Sequence, residues 1–172
     1  CNIIVSTDDE KILKKVKRKY INFVPLKRSK ILSTDNTDSY KVLIETYKWY
    51  KKNYSTVDGI FLLQPTSPFR KLSTLKKMID MFKKNKKKKS IISVSKVKKH
   101  PDWMYKIKDK KMIRFTKKKL IKMSQYLKKL YIVNGIGYLL VTEHLLKNKT
   151  TIPLNSIASI CNSEIESLDI DT

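Results

Sequence analysis

Four short strings hold the residues of this 172-residue chain whose types and spacing could do chemistry. The most informative is Leu62-Leu63-Gln64-Pro65-Thr66-Ser67-Pro68-Phe69-Arg70. It leaves an apolar run, Gly59–Leu63, of the kind a central parallel strand covered on both faces makes. In an open α/β sheet, ligands bind beyond the carboxyl ends of the strands, which is where this loop must lie. Two prolines fix φ and stiffen the turn. Gln64, Thr66 and Ser67 bring donors and acceptors suited to sugar hydroxyls, and Arg70 brings a permanent cation. The same residues would equally make a rigid strand-to-helix turn that binds nothing.

The second string is Ser167-Leu168-Asp169-Ile170-Asp171-Thr172. Carboxylates at i and i+2 of an extended chain face the same way, so the pair can reach one metal together. Magnesium takes one or two carboxylates plus substrate phosphates, which suits such a pair at a strand end. An ordinary acidic terminus has the same composition. The third string, Asn134-Gly135-Ile136-Gly137-Tyr138, holds two of the three glycines. Backbone must come close to something there, or a bulge enters the sheet. The fourth runs from Arg28 to Ser39 and carries Arg28, Asp35, Thr37 and Ser39. It suits a ribose, base or phosphate, and it suits a plain surface loop as well.

These strings need elements to position them, and the pattern supplies strands alternating with helices. Asn2–Ser6 reads as a strand. Thr7 or Asp8 is the expected cap of a helix through Lys19, with Ile12, Leu13, Val16 and Tyr20 on one stripe. Asn22–Pro25 is a second strand, followed by a loop to Asp38. A longer helix carries Leu43, Tyr47, Tyr50 and Tyr54 on one face, read as core rather than as a stacking surface. Ser73 is expected to cap a helix burying Leu75, Met78, Ile79 and Phe82. Ser90–Ser95 is a strand, and Trp103–Ile107 with Met112–Phe115 make a hairpin around Asp109–Lys110. Ile136–Val141 is a core strand, Thr142 the cap of a short helix, and Ile157–Ile160 the last strand. This order predicts right-handed crossovers and a mainly parallel sheet. Residues 1–172 form one domain, with an insertion at about 98–133 beside the sheet.

Composition bounds the partners. A hydrophobic share of 41% supports a packed core rather than a disordered chain. No apolar run reaches the roughly 18 residues of a membrane span. The formal net charge of +24 invites a nucleic-acid partner. Yet arginine, the residue fitted to forked phosphate and guanine contacts, occurs only at Arg18, Arg28, Arg70 and Arg114. The lysines are spread over every segment, which reads as a solvated coat able to draw in anionic substrates. Cys1 and Cys161 make no metal-like spacing and are expected as reduced thiols of a cytoplasmic protein. The chain opens on Cys1 with no leader and reads at once as a core strand, so it is expected to be a truncated fragment.

Together and in this order, the strings resemble the acylneuraminate cytidylyltransferases, the CMP-sialic acid synthetases and their relatives. Ile3-Ile4-Val5-Ser6-Thr7-Asp8 resembles that family's second core strand. Leu63–Arg70 is similar to its Leu-Gln-Pro-Thr-Ser-Pro-x-Arg loop, Asn134, Gly135 and Tyr138 to its Asn-Gly-x-x-Tyr, and Asp169–Thr172 to its Asp-Ile-Asp-Thr. The resemblance implies a Rossmann-like three-layer nucleotidyltransferase fold and CMP transfer from CTP to a nonulosonic acid of the sialic-acid type, with release of pyrophosphate. It implies that Asp169 and Asp171 hold Mg2+ and that Arg28, Thr37 and Ser39 serve the nucleotide. Gln64 would meet the acceptor sugar, with Thr66, Ser67 and Arg70 beside it in the loop and Asn134 and Tyr138 lining the same pocket. It also makes the 98–133 insertion a dimerisation extension, and the protein a homodimer.

Two departures stand out. The family's first strand and its Gly/Ser/Lys loop around the CTP phosphates have no counterpart here, and without them the fragment is expected to be inactive. Where the family has an Arg-Gln pair, this chain has Ser124-Gln125, leaving Lys122 and Lys128 as the cations available to meet a sugar carboxylate. A non-catalytic sugar- or nucleotide-binding relative, or a lysine-driven nucleic-acid binder, are the competing expectations.

Overall fold

The computed structural model describes residues 2–16, 23–116 and 124–170. Its elements follow in the order β1 (Ile3–Thr7), α1 (Glu10–Lys15), β2 (Phe23–Lys27), α2 (Ser39–Asn53), β3 (Gly59–Leu62), α3 (Leu72–Lys84) and β4 (Ile91–Lys96). The chain continues through β5 (Tyr105–Lys108), β6 (Lys111–Arg114), β7 (Tyr131–Val141), α4 (Thr142–Asn148) and β8 (Ile157–Ile160). This is the α/β class that the sequence predicts.

β1 and β2 pair in parallel, as expected of a strand–helix–strand unit. The main sheet has the order β3-β7-β4-β8. Here the expectation of a mainly parallel sheet needs correction. β7 runs antiparallel to both β3 and β4, and only β4–β8 is a parallel pair. β3, β4 and β8 still point the same way, so one reversed strand accounts for the difference. The cause lies between β4 and β7. There, among the described residues, the chain makes the β5–β6 hairpin, and it re-enters the sheet from the end at which β4 left. β3, read as a central strand, is the outermost strand of this sheet and pairs with β7 alone among the described residues.

Period-two alternation along β7 splits the core between the two faces of the sheet. Tyr138 and Leu140 pack with Leu43 of α2, Leu145 of α4 and Ile92. Leu139 and Val141 pack with Met78 and Phe82 of α3 and with Ile91. Helices therefore cover both faces. Within α2, Leu43 and Tyr47 are buried, while Tyr54 ends the helix in solvent and stacks on Tyr50. Within α3, Met78 and Phe82 are buried but Ile79, expected inside, is exposed.

Three caps differ from expectation. Asp9, not Thr7 or Asp8, caps α1, its carboxylate accepting from the amides of Lys11 and Ile12. Lys17–Tyr20, the rest of the expected helix, lie outside the described residues. Thr142 is the first residue of α4 rather than its cap, and its amide donates to Asp58 O at 3.0 Å. Ser73 sits inside the first turn of α3, which Glu166 caps from afar at Lys71 N and Thr74 Oγ1.

The hairpin is as expected. Asp109 and Lys110 both adopt positive φ, the conformation of a two-residue turn whose twist matches its strands. It carries exposed apolar side chains on both faces, Ile107 and Met112 on one and Ile113 on the other, with Phe115 just beyond β6.

Candidate active site

The site is built where β3, β4 and β8 end, around an irregularity in β7. Ile92 pairs with Tyr138 and Val94 with Val133. Ser93 alone thus faces Asn134, Gly135, Ile136 and Gly137, a bulge of four residues against one. The hydroxyl of buried Ser93 repairs the ladder by accepting from Gly137 N at 2.9 Å and donating to Gly137 O at 3.0 Å. Gly135 stands at φ +73°, a backbone conformation that glycine adopts at little cost. Asn134 closes the bulge by donating to Ser95 Oγ at 2.8 Å and accepting from Ile136 N at 3.3 Å.

The proline-stiffened loop docks on this bulge. A side chain at Gly135 would meet Ser67 Oγ at 2.8 Å and Gln64 Oε1 at 3.7 Å, so both side chains lie against the bare glycine. Ser67 is fully buried and its amide donates to Gln64 O at 3.3 Å. Arg70 joins the two pieces: its Nε donates to Ile136 O at 2.6 Å, and its Nη2 to Gln64 O. Bulge and loop are thereby locked as one unit.

The C-terminal segment completes the group. Ile170 N donates to Thr66 O at 2.8 Å, and the Asp169 carboxylate lies 3.5 Å from Ser67 Oγ, the long limit of a hydrogen bond. Gln64, Thr66, Ser67, Arg70, Asn134 and Asp169 thus converge at one place, although the loop and the acidic string lie about a hundred residues apart in the chain. Asp171 lies outside the described residues. Electrostatics ties in two more groups. Burial raises the pKa of the Tyr138 hydroxyl and the Asp169 carboxylate raises it further, so this phenol keeps its proton at neutral pH and remains a donor. Burial lowers the pKa of Arg70, an effect that the Asp169 charge opposes.

Arg70 and Asn134 were expected to face a ligand. The contacts they make are with the protein's own backbone and with Ser95. The early loop stands apart. Arg28 folds back on β1, with Nη2 donating to Ser6 O at 2.5 Å and Nε to Ser6 Oγ at 3.3 Å. Thr37 Oγ1 lies 2.8 Å from Thr34 Oγ1, and Ser39 is exposed at the start of α2. Among the described residues, no hydrogen bond links these three to the Gln64–Asp169 group. Of the lysines offered in place of the missing arginine, Lys128 lines a hollow of about 310 Å³ with Lys96, Lys98, His100 and Gln125. Lys122 lies outside the described residues.

Sequence reasoning missed Ser93, Ser95 and Glu166. The Asn-Gly string had signalled the bulge but not the serines that stitch it. Glu166, three residues before Asp169, gave no local signal, because the groups it holds lie near residue 70.

No three His, Cys, Asp or Glu side chains gather into a metal cage among the described residues. An exposed carboxylate at Asp169 beside a serine hydroxyl offers hard oxygen donors. Such a set fits magnesium, which keeps several waters and relies on substrate phosphates for further ligands. Among the described residues, no helix is long and apolar enough to cross a membrane.

No protein-family model matches the chain. Over 175 aligned residues the chain is 31% identical to the CMP-N,N'-diacetyllegionaminic acid synthase of Legionella pneumophila, an alignment that covers all of this chain and 74% of that relative. The chain therefore belongs to the nucleotidyltransferases of nucleotide-sugar biosynthesis, and within them to the cytidylyltransferases of the CMP-sialic acid synthetase type.

Proposed function

We propose that this protein transfers CMP from CTP to a nonulosonic acid of the sialic-acid type, releasing pyrophosphate, on a Rossmann-like nucleotidyltransferase scaffold. The observation that carries this reading is the meeting of Asp169 with the Gln64–Ser67 turn beside the Gly135 bulge, in a chain whose relative makes a CMP-sugar. The anomeric hydroxyl of the sugar attacks the α-phosphorus of CTP, a P–O bond forms, and the bond to the pyrophosphate oxygen breaks. Asp169, with Asp171, would hold Mg2+, which when bound would neutralise phosphate charge and ease release of the attacking hydroxyl's proton to solvent.

The chain's own residues orient the partners. Gln64 offers its amide to the sugar, and the protonated Tyr138 hydroxyl is a second donor in the same pocket. Thr66, Ser67, Arg70 and Asn134 hold the turn and bulge that aim them, so catalysis here is positioning plus electrostatics. Arg28, Thr37 and Ser39 serve the nucleotide from the stretch between β2 and the start of α2.

The protein acts as a homodimer through the insertion at 98–133. The exposed Ile107, Met112, Ile113 and Phe115 of its hairpin supply the apolar surface that such contacts bury. Incubating the whole protein with CTP, Mg2+ and N,N'-diacetyllegionaminic or N-acetylneuraminic acid is expected to release pyrophosphate in step with CMP-sugar, from a species of dimer mass by light scattering. Binding of CTP and sugar without pyrophosphate would instead make the protein a non-catalytic relative, and a monomer would remove the role of the hairpin.

A further inference from the structure

The geometry points to Glu166 as the positioning residue that sets Asp169 against the Gln64–Ser67 turn. Glu166 is only 4% exposed, an unusual place for a carboxylate. Its Oε2 accepts from Lys71 N at 3.1 Å and from Thr74 Oγ1 at 2.6 Å. Lys71 is the N-cap residue of α3 and Thr74 lies in its first turn, which carries no acidic residue and no side-chain cap of its own. The positive end of that helix stabilises the buried charge.

The consequence lies in the sequence positions of the two ends. Lys71 directly follows the loop that ends at Arg70, and Asp169 follows Glu166 by three residues. Between them, the bonds Ser167 N to Glu164 O and Leu168 N to Ile165 O wind the segment into tight turns. One residue past Asp169, Ile170 N reaches Thr66 O at the other end of the same loop. The acidic string is therefore pinned on both sides of Asp169 to a single loop. Apolar packing does not hold it, because Ile165, Leu168 and Ile170 are all more than half exposed. Among the described residues, the hydrogen bond of the Asp169 side chain is the 3.5 Å approach to Ser67, too long to fix it unaided. The Glu166 latch fixes it.

This inference rests on the reading of Asp169 given above, and two measurements keep them separable. The first is amide hydrogen exchange of the whole protein without nucleotide, sugar or metal, which reports the latch whatever Asp169 binds. Glu166→Ala is expected to speed exchange at Ile170 by about tenfold or more while Leu140 N–H in the core of β7 keeps its wild-type rate. Glu166→Gln, which retains an acceptor oxygen, recovers most of the protection. The second is the Mg2+ concentration for half-maximal pyrophosphate release, expected to rise about tenfold in Glu166→Ala and to recover in Glu166→Gln. Should Glu166→Ala not fold, Thr74→Val removes the shorter bond alone and shows the same two shifts at smaller size. Unchanged exchange at Ile170 overturns the latch, as does equal acceleration at Leu140. Faster exchange at Ile170 with unaltered Mg2+ dependence overturns the positioning role. Asp169→Ala tests the underlying reading separately: it is expected to lose most pyrophosphate release, and wild-type release at the wild-type Mg2+ concentration would overturn that reading while leaving the latch to the exchange measurement.

Discussion

Asp169→Ala is expected to lower turnover by at least about a hundredfold, the scale of losing a group that organises transition-state charge, and to leave the fold intact. Both halves follow from its placement. The carboxylate is exposed, and among the described residues its hydrogen-bonding partner is Ser67 Oγ at 3.5 Å. Surface changes without strong partners stay within about 0.5 kcal/mol, which for a domain of this size keeps the melting temperature within about 2 °C. A steady-state assay paired with a thermal melt checks the prediction. Normal CMP-sugar synthesis by this variant would remove the metal assignment. A large loss of stability would show instead that Asp169 is part of the scaffold.

Arg70→Ala should behave in the opposite way, as a stability variant first. Its guanidinium donates to Ile136 O on the bulge and to Gln64 O on the loop. Truncation leaves two part-buried carbonyls without their charged donor, at about 1–3 kcal/mol for a lost charge-assisted bond of this kind. That lowers the melting temperature by roughly 3–10 °C. Arg70→Lys recovers little, because one ammonium cannot span both carbonyls as the fork does. With bulge and loop uncoupled, Gln64 loses its registry and the KM for the sugar rises. An unchanged melting temperature alongside a lost affinity would make Arg70 a direct ligand, as its sequence context first implied.

The contrast between these two residues shows what local sequence carries and what it does not. Asn-Gly at the entrance to a strand offered a bulge as one of two readings, and Asp109–Lys110 between apolar runs announced a turn, because both depend on backbone preferences of adjacent residues. The direction of β7 had no such signal: it depends on where the chain re-enters after Val97–Leu130, a matter of tertiary closure. The cap of α3 was assigned to Ser73 by proximity, whereas the group that fills it sits 95 positions away. Ile79 matched the helical period, yet it lies beyond the edge of the buried face that Met78 and Phe82 define. Polar type alone cannot say whether a side chain meets a ligand or the protein itself: Arg70 donates to backbone carbonyls, and Asn134 bonds Ser95 Oγ and Ile136 N. The meeting of the turn with the acidic string could be expected from the family pattern, while its geometry required the fold.

On the proposed reading, Gln64, Gly135 and Asp169 surround one metal-dependent site. Paramagnetic broadening by Mn2+, added to the whole protein with CTP, tests it most directly. The account predicts that the amides of Gly135 and Ile170 and the side-chain amide of Gln64 broaden first, and that Asp169→Ala abolishes the effect. Broadening centred on the β5–β6 hairpin or on α4, with Gly135 and Gln64 left sharp, would contradict it.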